Sequence, residues 1–253
     1  MDNAVEAPAT ATRIGRALAW LALVSGLASG AAALLAGPAY RWHGLALGTA
    51  LQTVRTAGTI AAIGAGLALL AGVLVWIAPQ RRSLSVAAAA LLVNALAAGM
   101  PMAMQWKGQH LPRIHDVSTD LVDPPAFVAV VPLREGARNP VAYASATAAL
   151  QRAGYPDIVP QVLAMPSAQA FERAERTARA LGWEIVAVAP AELRLEATDT
   201  TLLFGFKDDV VIRITPRGNA SVVDVRSLSR VGGSDFGTNA NRVRGFLRKL
   251  ATN

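Results

Sequence analysis

The 253-residue chain is 53% hydrophobic, carries a formal net charge of +7 and contains no cysteine, which excludes disulfides, thiolate metal sites and thiol nucleophiles. The positive charge does not mark a nucleic-acid binder. Residues 1–106 hold six arginines against two acids, residues 107–253 hold 18 basic against 15 acidic residues, and neither half has a dense basic stripe interleaved with aromatics.

Residues 1–12 are expected to form a flexible tail, 13–105 a membrane domain and 106–253 a soluble α+β domain. A bilayer core takes about 20 apolar residues in helical form. Ala17–Ala36 and Thr59–Ala78 each provide 20 without a charge, and Leu84–Met104 provides 21. Trp20, Trp76 and Trp106 fall near span ends, where an amphipathic ring favours the headgroup region. Gly26, Gly30, Gly64, Gly66, Gly72 and the alanine run from Ala87 predict close helix packing. Asn94 is the strongly polar side chain deep in a span and is expected to hydrogen-bond a neighbouring helix. The first span also resembles a secretory signal, but its apolar run exceeds the 7–15 residues of a signal core, so a retained anchor is expected. Gly44–Val54, with Leu47, Ala50, Leu51 and Val54 at helical spacing, is predicted to lie flat in the interface.

Three spans put the chain ends on opposite sides. Arg13, Arg16, Arg81 and Arg82 oppose Arg41, Arg55, Lys107 and Arg113, a tie. The first helix and the short Arg81-Arg82 loop weigh most in such a count. The amino terminus is therefore placed in the cytoplasm of a bacterial cell, with the chain in the inner membrane and its soluble domain in the periplasm.

Beyond the third span, Phe127–Val131 has strand length. Asn139 and Pro140 predict a helix over 141–153, capped by Asn139. A second helix is expected from a Ser167 cap to Leu181, with Phe171, Ala174, Ala178 and Leu181 on one face, Glu172/Arg176 and Glu175/Arg179 as i,i+4 pairs, and Gly182 as the stop. The period then changes to two. Trp183–Ala189, Leu193–Thr198, Val210–Thr215 and Ser221–Leu228 read as strands. Keeping Ile212, Ile214, Val223 and Val225 on one face requires paired residue numbers to sum to an odd value, which puts Arg213, Asp224 and Arg226 on the other face with Asp209 at its end. Val243, Phe246, Leu247 and Leu250 mark a closing helix from about Thr238 to Leu250. The predicted fold is α+β: a three-helix transmembrane bundle, then a soluble antiparallel sheet of about four strands with helices packed on one face.

Three constellations carry polar chemistry. His115, Asp116 and Asp120, near Asp123, combine an imidazole with hard carboxylates, a set that holds Zn²⁺ or Mn²⁺; the same residue types also cap turns. Asp208, Asp209, Arg213, Asp224 and Arg226 form either an anion-gripping pocket or cross-strand ion pairs on a solvated sheet face. Ser229, Arg230, Asp235 and Asn239 flank a glycine loop before a helix start, where backbone amides receive anions, or where Asp235 or Thr238 caps the helix. The loop lacks the lysine of a phosphate-binding motif.

Ile114-His-Asp-Val-Ser-Thr-Asp120 with Asp123-Pro-Pro-Ala-Phe127, Phe204-Gly-Phe-Lys-Asp-Asp-Val-Val-Ile-Arg213, and the stretch Asp224–Asn239 resemble the three signature stretches of the domain of unknown function family numbered 1499, over about residues 110–250. The membrane half resembles the subgroup with several amino-terminal spans. Other members look like lipoproteins with exported domains, which implies an exported domain here. The resemblance implies no activity.

The function expected is a membrane-anchored binding module that meets an envelope protein or a small anionic ligand, without a cofactor. The alternative is a metal-dependent hydrolase using His115, Asp116, Asp120 and Asp209.

Overall fold

The structure, a computed structural model, describes residues 6–77 and 83–252. The chain divides into two compact units between Trp106 and Lys107.

The first unit contains α1 (Glu6–His43), α2 (Leu47–Trp76) and most of α3 (Leu84–His110). All three helices are long and apolar enough to cross a membrane. Their packing is the reverse of that in a water-soluble bundle. Small side chains meet inside, with Ala19, Ala71 and Ala87 in one layer and Ala22, Ala68 and Ala90 in the next, while Leu34, Ile63, Leu92 and Leu96 are 60–71% exposed. Helices in lipid associate in this way because hydrocarbon does not penalise an exposed leucine, whereas small residues let backbones approach.

Asn94 is fully buried in the bundle. Its Nδ2 donates to the Ala22 carbonyl of α1 at 2.7 Å and to Ala90 O of its own helix at 2.8 Å. Gly26 and Gly64 make room for it: a Cβ on Gly64 would lie 2.2 Å from Asn94 Oδ1.

No flat interfacial helix forms over residues 44–54. Helix α1 runs through Pro38 to His43, a short link follows with Gly44 at φ +70, and residues 47–54 are the first turns of α2. Their polar face continues a span instead of lying across it. At the amino end, α1 already begins at Glu6. The Arg81-Arg82 pair, on which the orientation expectation leans, lies outside the described residues.

The second unit is built on one antiparallel sheet. Its strands are β1 (Asp116–Ser118), β2 (Gln161–Leu163), β3 (Glu184–Ala189), β4 (Arg194–Thr200), β5 (Lys207–Arg217) and β6 (Ala220–Ser229), in the order β1-β6-β5-β4-β3, with β2 beside β6 as well. Short β1 and β2 extend the four strands expected from the sequence. Ile212 pairs with Val225 and Arg213 with Asp224, the odd-sum register that the two apolar faces require.

Helices α5 (Ser167–Ala180) and α6 (Thr238–Thr252) cover one face. Phe171, Ala174, Ala178, Val243, Phe246 and Leu250 pack there on Leu195, Val210, Ile212, Val223 and Val225. The Glu175/Arg179 pair on the outside of α5 closes to 2.7 Å, and Gly182 takes φ +79 after the helix.

Three local expectations fail for identifiable reasons. Phe127–Val131 is not a strand, because the amides of residues 128–130 are taken by a side chain described below. The expected helix over 141–153 starts only at Ser145 and forms α4 (Ser145–Gly154). Asn139 does not cap it; its Nδ2 donates instead to Ser229 O and Gly232 O. Finally, α5 follows Pro166 without a side-chain cap, so Ser167 is its first residue and not its cap.

Candidate functional site

The second face of the sheet carries most of the charged residues, and it is largely covered. Residues 119–144 run across it as a strap with a single 3-10 turn at Pro132–Arg134. Phe127 and Val130 of the strap pack on Val211 and Leu228 of the sheet. Asp116, Glu196, Thr198, Asp209, Asp224 and Arg226 are all buried beneath or beside it.

Each buried charge is met by an opposite charge or by strap backbone. Arg226 grips Asp116 through Nε–Oδ1 at 3.0 Å and Nη2–Oδ2 at 2.7 Å. It also donates to Pro125 O and Val141 O, and its guanidinium lies over the Phe127 and Tyr143 rings at 5.0 and 5.2 Å. Arg213 reaches Asp123, Asp120 and Asp224 at 2.8, 2.9 and 3.2 Å. Thr119 ties the start of the strap to Asp224 Oδ1.

Asp209, without exposed surface, accepts two hydrogen bonds from Arg230 at 2.8 and 2.9 Å, one from Thr198 Oγ1 at 2.7 Å and one from Arg134. Arg230 and Arg134 then donate to Leu133 O and Asn139 O respectively. Glu196, equally buried, receives the backbone amides of Val128, Ala129 and Val130 at 2.9–3.1 Å together with Arg194. Three successive N–H groups around one carboxylate form an anion nest, and the protein fills that nest with its own side chain.

Burial pushes the Asp116 carboxyl up from its ordinary value, against the pull of Arg226. Burial also pushes the Tyr143 hydroxyl up to about 12, with the nearby Asp116 adding to it. At Asp120 partial burial is outweighed by the amides of Asp123 and Val122 and by Arg213, which hold the carboxyl below the usual range.

The structure divides the sequence-nominated residues between the two faces. Asp116, Asp120, Asp209, Arg213, Arg226 and Arg230 meet under the strap. Asp208 points the other way and pairs with Arg242 of α6 at 2.7 Å, because neighbours in a strand face opposite sides. Asn239 joins it there, receiving Ser227 Oγ at 2.7 Å and donating to Ser229 Oγ at 2.9 Å and to the His115 carbonyl at 3.0 Å. Asp235 caps α6 by accepting the amides of Gly237 and Asn239, and burial raises its carboxyl.

The metal alternative loses its ligands in this geometry. Asp116 belongs to Arg226 and Asp120 to Arg213 and the strap amides. The His115 ring leaves Nδ1 buried without a hydrogen-bond partner. Among the described residues no group of three His, Asp or Glu is placed to hold a metal ion.

Sequence reasoning missed Arg134, Thr119, Gln151, Glu196 and Arg242. Gln151 of α4 acts as a substitute strand, exchanging two hydrogen bonds with the backbone of Ser118 at 2.6 and 2.9 Å. The available signal was the strap itself: a turn-rich stretch of this length inside a small domain is uncommon unless it has a task.

Residues 116–250 match the protein family of unknown function DUF1499. The chain belongs to the DUF1499 family. No curated protein matches it. All three of the stretches that carry the resemblance contribute to the covered face: the first supplies Asp116, Thr119, Asp120 and Asp123, the second Asp209 and Arg213, and the third Asp224, Arg226 and Arg230.

Proposed function

We propose that this DUF1499 protein is a membrane-anchored, non-catalytic binding module of the bacterial envelope, with its α+β domain held outside the cytoplasm. The observation that carries the reading is the mutual neutralisation of the signature residues. Their carboxylates and guanidiniums are spent on one another and on the strap backbone, which leaves an outer surface where Val122, Val128, Val131 and Leu133 are 92, 54, 43 and 54% exposed. Exposed apolar side chains on a loop held by hydrogen bonds to the sheet suit recognition of a partner more than proton transfer. That partner is an envelope protein.

Location and partner are tested together in cells. A phosphatase fused after Asn253 is expected to be active and a fluorescent protein at the same position dark; the opposite pair of results would place the domain in the cytoplasm. A photo-crosslinking residue at Val122 is expected to trap one discrete partner, and Val128→Asp to abolish that product. A stoichiometric metal in the purified full chain that disappears in His115→Ala would overturn the non-catalytic reading.

A further inference from the structure

Between α1 and α2 the first unit holds an open groove of about 700 Å³. Its wall on α2 runs from Gly48 to Ile60, about 18 Å at 1.5 Å per residue. The antiparallel pairing fixes how deep the groove sits. Gly15 lies against Val75 and Ala22 beside Ala68, so Arg41, which ends the charge-free run of α1 from Ala17 to Tyr40, comes level with Thr49. Six residues further along α2 stands Arg55, and the second charge-free run starts directly after it at Thr56. The groove therefore straddles the plane at which apolar helix gives way to charged helix.

Thr49, Gln52 and Thr53 line the outer part, while Ala28, Ala32 and Ile60 line the inner part together with Ser25, Ser29 and Thr56; the Ser25 hydroxyl is turned onto its own helix, donating to Ala22 O at 3.0 Å. Arg55 is exposed and stands at helical spacing from Gln52 and Thr59, on the same side of α2. The first 106 residues contain just two acids, Asp2 and Glu6, so the described part of α2 offers this guanidinium no carboxylate. An arginine at a span end extends its charge to the headgroup layer and rests its stem on apolar surface.

We infer that the groove binds one acyl chain of an anionic phospholipid. The chain lies along Ala28, Ala32 and Ile60, the ester region meets Thr49, Gln52 and Thr53, and the phosphate sits beside Arg55. Charge decides between this occupant and a second copy of the chain: two copies docked by the same face would bring two Arg55 side chains together, whereas an anionic headgroup supplies a counter-charge that α2 itself lacks. The inference rests on reading the helices as membrane spans. That reading is tested separately by alkaline carbonate, which must leave the full chain in its vesicles.

The test is native mass spectrometry of the full chain released from detergent after incubation with phosphatidylglycerol or phosphatidylcholine. The expected result is about one retained phosphatidylglycerol per chain, as for a single formed site. Arg55→Gln is expected to reduce the preference over phosphatidylcholine about fivefold, which corresponds to the ~1 kcal/mol that a juxtamembrane arginine contributes near an anionic surface. Ala28→Leu with Ala32→Leu fills the inner groove and is expected to remove the adduct; Arg55→Gln, at an exposed position, remains decisive should the filled variant not fold. Adducts unchanged in both variants, no adduct in the parent chain, or a dimer in place of the lipid-bound monomer would each overturn the inference.

Discussion

Asp116 and Arg226, 110 residues apart in sequence, meet in a two-pronged ion pair of 2.7 and 3.0 Å with 5 and 4% of their side chains exposed. The pair joins the first signature stretch to the third. Its guanidinium also holds the strap at Pro125 and Val141, so one side chain serves both sheet edge and cover.

Removing one partner of such a pair strands the other in a low-dielectric site. Arg226→Ala is expected to cost about 3–5 kcal/mol, and Arg226→Lys most of that, since an ammonium cannot reproduce the planar fork. Chemical denaturation of residues 107–253 checks this; a loss below about 1 kcal/mol, the range of a surface pair, would show the site to be wet.

Glu196→Gln keeps the side chain's shape but replaces an acceptor-only group with one that turns N–H toward N–H. The cost is about 1.5–3 kcal/mol for hydrogen bonds to a charged group. Hydrogen exchange should localise it, with faster exchange at the amides of Val128, Ala129 and Val130 and little change in α5 or α6.

Acid should loosen the strap through Asp120. Its folded pKa lies below the ordinary 3.8, so the unfolded chain takes up the proton first as pH falls. The contribution of this carboxylate is complete above about pH 4 and is lost below it. Asp120→Asn should therefore be less stable than the parent by about 1 kcal/mol at neutral pH, as expected for a partly exposed pair, and the difference should shrink as the pH falls below the ordinary carboxyl value. A difference independent of pH would show that the Arg213 contact is not electrostatic.

At the alkaline end the sign reverses. Tyr143 keeps its proton to about pH 12 in the folded domain, while an unfolded tyrosine releases it near 10. Between these values the unfolded state holds fewer protons, so stability falls as pH rises through the window. Tyr143→Phe should abolish that part of the decline, and ultraviolet titration of the folded domain should show one phenol ionising late.

In the membrane unit, Gly64→Ala places a methyl 2.2 Å from Asn94 Oδ1 and 2.9 Å from Ser25 Oγ. The bundle must shift or lose the Asn94–Ala22 bond, a loss of about 0.6–1.7 kcal/mol for the bond alone. Detergent-titration unfolding of the full chain should show Gly64→Ala to be destabilising and Asn94→Ala to relieve most of its effect, the coupling expected of residues that share one space.

Much of the fold was legible because solvent preference repeats along the chain. Alanine- and leucine-rich runs marked α1, α2 and α3, and the alternation around Ile212 and Val225 fixed both the β5–β6 register and the face on which Arg213, Asp224 and Arg226 stand. The cap at Asp235 and the stop at Gly182 were equally local. Where the reading failed, a distant group had taken over a local one. Asn139 left a helix start for the carbonyls of Ser229 and Gly232, and Glu196 drew the amides of residues 128–130 out of any strand.

The sequence by itself determined which side chains share a face, because strand and helix periods are properties of neighbouring residues. Only the tertiary structure decided that the charged face of the sheet is covered, since the covering strap has no period of its own. Its path is set by Arg226, Arg230, Arg134 and Glu196 reaching backbone atoms far away in the chain, and such pairings leave no regular trace in the order of the residues.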